Sequence, residues 1–181
     1  MARERFVKSA STRTPVTNSR GELERLLTRY GCSSFAVETD YEAGRATVSF
    51  VVLDSQEAGA ARVPVRLEVR TRDVYDALYG RPTKSVQVSG RWQQVLDPTG
   101  YDQQKIAQAE RVAWRQLILW VDAALSAAAT GLQKISEAFL AHTLIQGPHG
   151  ELRRVADHLD AVSGGTWKAL LPPTTGGSHV E

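Results

Sequence analysis

The chain has 181 residues, 42% of them hydrophobic and 23% charged, with a net charge of +2 at neutral pH. That length suits one domain, the apolar fraction supplies a core and argues against wholesale disorder, and so small a net charge does not demand a nucleic-acid partner. The single cysteine, Cys32, excludes an internal disulfide framework and suits a reducing compartment.

Residues 1–18 read as a flexible basic arm, in which Arg3, Arg5, Lys8 and Arg13 face only Glu4. No apolar segment of the secretory type occurs there. A single α+β domain is expected over 19–163. Its first helix is predicted from Arg20 to Tyr30, opened by a Ser19/Glu22 capping box and closed by Gly31. Leu23, Leu26, Leu27 and Tyr30 fall on one stripe of that helix.

Three strands follow. Phe35–Thr39 and Ala46–Val52 alternate apolar and polar positions around the turn Glu42–Arg45, and Arg62–Arg72 alternates again. Phe35, Val37, Ala46, Val48, Phe50, Val52, Val63, Val65, Leu67 and Val69 make the expected inward set. Pro64 cannot donate to a ladder, which places the third strand at an edge or leaves that position facing outward. Short connections imply an antiparallel meander, because parallel neighbours need crossovers. Residues 73–101, broken by Gly80, Pro82, Gly90, Pro98 and Gly100, read as an inserted excursion with a turn of helix at 74–79 and a strand at 85–88.

Tyr101–Gly131 is predicted as one long helix of about 28 residues, roughly 42 Å, lying across the sheet. Ile106, Ala113, Leu117, Val121, Ala124 and Ala128 form its stripe, widened by Trp114, Ile118 and Leu125. Its most apolar run is about 13 residues and is broken by Asp122, too short for a bilayer, so no membrane partner and a cytoplasmic location are expected. Two short helices, Lys134–Ala141 and Glu151–Val162, complete the domain, the second with Leu152, Val155, Leu159 and Val162 inward. Residues 164–181 are a Pro/Gly/Thr tail.

Catalytic motifs are missing from the sequence. There is no phosphate-binding glycine loop, dinucleotide fingerprint, nucleophile elbow or H-E-x-x-H. His142, His149, His158 and His179 match no zinc spacing, so neither metal nor cofactor is expected. The positive pattern is basic. Arg62, Arg66, Arg70 and Arg72 share one face of the third strand by period-two geometry, and Arg111 and Arg115 are one turn apart on the long helix. Arg91 and Trp92 on the excursion add a cation and a ring, with Arg81 and Lys84 nearby. Arginines with interleaved aromatics suit a single-strand groove, where charge follows the backbone and rings stack on bases. The same residues also serve blander ends: charge protects an edge strand from pairing, and tryptophans on an amphipathic helix are more often core.

Thr14-Pro15-Val16, Ser19–Glu24 and Thr28–Gly31, together with Arg111–Leu119, Ala123–Gly131, Glu137–His142 and Leu170-Leu171-Pro172, resemble a family of bacteriophage and prophage proteins of mostly uncharacterised function. The resemblance covers about two-thirds of the chain and lapses between Thr71 and Tyr101. It carries no catalytic residues. It implies a small protein acting on phage DNA in the host cytoplasm, among replication and recombination functions. The deduced element order is also similar to the core of single-strand annealing proteins and of double-stranded-RNA-binding domains.

The expectation is therefore a non-catalytic phage DNA-binding protein, taking single-stranded DNA through Arg62, Arg66, Arg70, Arg72, Arg111, Arg115, Arg91 and Trp92. The alternative is a protein-binding accessory factor, a host-defence inhibitor or assembly factor, with no nucleic acid involved. Homo-oligomerisation stays open under both.

Overall fold

The computed structural model describes residue 7 and residues 9–54, 60–146 and 150–158. Helix α1 spans Val16–Arg29 and starts a turn earlier than its sequence signal indicated. Pro15 stands at the N-cap with φ −59°, a torsion its ring fixes and a helix entrance accepts. Ser19 consequently lies inside the helix, fully buried, and the expected Ser19/Glu22 capping box does not form. The other end is as read. Gly31 at φ +77° lets its N–H donate to the Thr28 carbonyl (3.0 Å) while the Cys32 N–H reaches the Leu27 carbonyl (3.1 Å), a Schellman closure.

Strands β1 (Ser34–Asp40), β2 (Arg45–Leu53) and β3 (Arg62–Arg70) form an antiparallel meander in the order β1-β2-β3. Phe35 stands opposite Phe50, Val37 opposite Val48, and Val48 in turn opposite Leu67. Alternation sends Ala46, Val48, Phe50, Val52, Val63, Val65, Leu67 and Val69 into the core, while Phe35 and Val37 are half-buried at its margin. Among the described residues β1 is an edge strand bonded only to β2. On the other edge, Thr143 makes a single bridge to Val65 of β3.

The third strand was expected to run to Arg72 and stops at Arg70. Helix α2 (Thr71–Tyr79) begins at once, burying Thr71, Tyr75 and Leu78. Tyr75 meets the rings of Tyr79 (5.2 Å) and Tyr101 (4.9 Å), an aromatic cluster that holds α2 to the body. Only the rest of the excursion projects. It is a hairpin of β4 (Thr83–Val88) and β5 (Arg91–Leu96), paired with each other and, among the described residues, with no third strand. Its turn, Ser89-Gly90, has φ of 51° and 77°, the two positive values that a two-residue type I′ hairpin requires.

Helix α3 (Gln103–Ala129) is 27 residues long. Asp102 caps it by accepting from the N–H groups of Gln104 (2.8 Å) and Lys105 (3.0 Å). Trp114, Val121 and Leu125 are fully buried and join the inner sheet residues and α1 in one core. Trp120 is different: it is 40% exposed, its ring edge-on to Phe139 (5.4 Å).

The C-terminal part departs from expectation. After α4 (Ile135–Ala138) and a single 3-10 turn at Leu140–His142, β6 (Leu144–Gln146) pairs with β7 (Leu152–Arg154). A helix from Glu151 was expected; among the described residues helical geometry starts at 155, after a strand at 152–154, and Leu152, read as inward, is exposed. Residues 152–154 pair with β6 instead, and the Val155 N–H continues the contact by donating to the Thr143 carbonyl (3.0 Å). Most of the expected turn at 146–150, the end of that helix, the 164–181 tail and residues 1–6 and 8 of the basic arm lie outside the described residues, and residues 16–18 of that arm belong to α1. Among the described residues no helix is long and apolar enough to cross a membrane.

Candidate nucleic-acid interface

The sheet has one face in the core and one face outward. Period-two geometry and the register put Arg62, Pro64, Arg66, Glu68 and Arg70 of β3 beside Leu53, Val51, Ser49, Thr47 and Arg45 of β2 on the outward face. Arg62 and Arg66 are roughly 13 Å apart along the strand. Neither makes an ion pair with a carboxylate among the described residues, and Arg66 Nε is buried with no hydrogen-bond partner. Arg70 is otherwise: its guanidinium is 2.6 Å from Glu68 and 3.9 Å from Asp73. Glu68 also takes Arg154 at 3.4 Å.

At the Arg70 end, Arg45 stands directly across the ladder, and Arg72 approaches from the first turn of α2. Like charges so placed repel, and Asp40 offsets Arg45 at 3.4 Å. The Ala43 N–H, and also Arg45, hold the Asp40 carboxyl below its ordinary range. Arg72 was assigned to the strand face and lies instead over the β1–β2 turn. It donates to the Glu42 carbonyl (3.3 Å), with its guanidinium 5.7 Å from the Tyr101 ring. Gly44, at φ +61° in that turn, lies beside the Arg72 side chain.

These groups edge a cleft of about 360 Å³ lined by Tyr41, Arg45, Arg72, Tyr101, Glu110 and Trp114 among others. Tyr41 is 88% exposed on the rim. Burial, then the Asp76 carboxylate, keep the Tyr101 hydroxyl protonated, and it donates to Asp76 (3.3 Å). Trp114 is fully buried below, its Nε1 without a partner, and the Arg20 guanidinium stacks over it at 4.8 Å. Arg20 also donates to Thr39 Oγ1 (3.2 Å).

The remaining predicted residues lie elsewhere. Arg111 donates twice to Gln108 Oε1 (3.0 and 2.6 Å), and Gln108 Nε2 holds the carbonyls of Ala10 and Thr12. Arg115 is paired with Glu22 of α1 at 2.6 Å. Both therefore face α1 and the N-terminal segment, and do not extend the β3 series across the sheet. Arg91 and Trp92 are adjacent on β5 and so point to opposite faces of the hairpin. Arg81 and Lys84 are tied to Asp76 (3.0 Å) and Asp97 (3.7 Å).

Arg45, Tyr41 and Tyr101 are the residues the sequence reading missed. Arg45 was assigned to a turn, and only the strand register brings it opposite Arg70. Burial pushes the Cys32 thiol up to about 11, away from nucleophilic chemistry at neutral pH. Burial, then Arg154, hold the His142 imidazole below its ordinary value, so it adds little cationic character beside β3. Among the described residues no three or more His, Cys, Asp or Glu side chains are grouped to hold a metal ion. No known family model matches the chain, and no curated protein or solved structure matches it either.

Proposed function

We propose that the protein binds single-stranded DNA without catalysing a reaction, along the outward face of β3 and into the cleft at its Arg70 end. The observation that carries this reading is the distribution of ion pairs. Arg45, Arg70, Arg81, Arg115, Arg153 and Arg154 each have a carboxylate within 4 Å. Arg62, Arg66 and Arg72 have none among the described residues, and they follow one path from the far end of β3 to the cleft. A guanidinium without a carboxylate is free to take a phosphate through its planar fork. Ser49 and Thr47 add hydroxyls beside Arg66 on the same face. Tyr41 and Tyr101 supply ring faces at the end of the path, where a base would stack. A phage context in replication or recombination remains part of the proposal on the strength of the sequence resemblance alone.

The test is fluorescence anisotropy of a labelled single-stranded oligonucleotide across a salt series. Binding is expected to weaken as salt rises, and Arg66→Ala/Arg72→Ala should weaken it further and lower the salt slope by about two. Arg111→Ala, engaged with Gln108, should leave the salt slope unchanged. Absence of binding at low salt overturns the proposal, as does equal weakening by both variants.

A second reading, a protein-binding accessory factor, is favoured by one specific observation. The hairpin face that carries Trp92 holds Thr83, Ser85, Gln87, Gln94 and Leu96 and no charge. Such a surface suits a protein better than a phosphate backbone.

A further inference from the structure

The β4–β5 hairpin is well formed and unsupported. Six residue pairs are in register, the turn has its required torsions, and the Asp97 N–H closes the base on the Pro82 carbonyl (2.9 Å). Little of it is covered by the described residues: Trp92 is 71% exposed, Leu96 53% and Val88 44%. A lone two-stranded hairpin is marginal in water, and it offers open ladder edges on both sides. The body has one such edge too. β1 bonds to β2 on one side, and its other side has no backbone partner among the described residues.

The two edges complement each other. β1 is seven residues long and β5 six. Residues 83–96 carry Lys84 and Arg91 and no acid, whereas β1 carries Glu38 and Asp40 and no base. The faces match as well. On β1, Phe35 and Val37 are half-buried toward the core and Ala36, Glu38 and Asp40 point outward. On β5, Trp92 and Leu96 share one face while Arg91 lies on the other. In a continuous antiparallel sheet a single register sets Trp92 opposite Val37 and Arg91 opposite Glu38, with Leu96 one step beyond Phe35 on the same face.

We infer that β5 of one copy adds to the free edge of β1 of a second copy, making a five-stranded sheet shared between two molecules. The contact is head-to-tail, so each copy keeps one donor hairpin and one acceptor edge, and the assembly grows until a ring closes or continues as a filament. Main-chain hydrogen bonds supply the attraction, and the apolar and charged faces fix the register. This inference does not depend on nucleic-acid binding.

Sedimentation velocity of the full chain over a concentration series tests it. Species heavier than one chain are expected, and Trp92→Glu/Leu96→Glu should return them to the mass of one chain. Both positions are exposed, so the double variant keeps the body folded, which circular dichroism checks. The contact itself is read by mixing Ala36→Cys with Gln93→Cys, each in a Cys32→Ser background. A disulfide-linked pair that needs both variants supports the β1–β5 junction. A single-chain mass at every concentration overturns the inference. So does an assembly that survives the Trp92→Glu/Leu96→Glu change, or mixed thiols that do not cross-link.

Discussion

The three-stranded meander and the β4–β5 hairpin are built by the same backbone rules and differ in what lies behind them. Both have full antiparallel registers. β2 has Val48, Phe50 and Val52 sealed against α3 and α1, whereas no residue of the hairpin is fully buried. Main-chain pairing sets the shape of each region; burial of apolar area sets its stability. The body is thus a fixed platform and the hairpin an appendage whose order depends on what it meets.

The strongest way to break that contrast is to remove the body's largest buried side chain. Trp114 is fully buried and has Arg20 stacked on its ring. Trp114→Ala should cost about 3–5 kcal/mol, read as a lower denaturation midpoint in urea. A loss below about 1 kcal/mol would mean that the body is no better packed than a surface.

A second comparison uses two glycines with nearly the same torsion. Gly131 closes α3 at φ +75° and Gly90 turns the hairpin at φ +77°, and a methyl group at either meets nothing within 4 Å. The local cost of alanine is therefore the left-handed penalty alone, about 1–2 kcal/mol at each position. Gly131→Ala should lower global stability by that amount, because α3 belongs to the cooperative core. Gly90→Ala should leave the global midpoint unchanged and speed amide hydrogen exchange in 83–96 only, because the hairpin opens on its own. Equal effects on the global midpoint would show that the two regions unfold as one.

A smaller effect belongs to the ion pair on the α1–α3 seam. Arg115 and Glu22 are 2.6 Å apart but their side chains are 28% and 42% exposed. Solvent and salt screen such a pair, so a double-mutant cycle with Arg115→Met and Glu22→Gln should give a coupling of about 0.2–1 kcal/mol, shrinking in high salt. A coupling that does not respond to salt would mean the seam is drier than those exposures indicate.

The same contrast explains what the sequence made legible. The meander and α3 were readable because burial on one face leaves a period-two or period-3.6 trace in residue choice, as in Val63, Val65, Leu67 and Val69. β5 left no trace. Arg91-Trp92-Gln93-Gln94-Val95-Leu96 is buried on neither face, so alternation had nothing to record. Residues 152–154 misled in the opposite direction, since Leu152 fits a helical stripe that its pairing with β6 overrides. At the candidate site, Arg62 and Arg66 follow from local alternation. Arg45 facing Arg70, and Arg72 folded over Gly44, depend on register and on where β3 gives way to α2, which no local pattern encodes.

The smallest expected change is the most discriminating. Trp92 and Trp114 are the same residue type, one 71% exposed and one fully buried. Trp92→Ala should change single-chain stability by no more than about 0.5 kcal/mol, as for a surface position away from caps and cores. Measured in urea on dilute protein, that result separates the two tryptophans by roughly an order of magnitude in free energy. The protein concentration then sharpens the point. Where copies associate through the hairpin, the wild-type midpoint should rise with concentration by mass action, and the Trp92→Ala midpoint should rise less. A midpoint independent of concentration in both proteins would leave the hairpin an appendage with no role in association. A Trp92→Ala loss of several kcal/mol in dilute solution would place it within the core's cooperative unit.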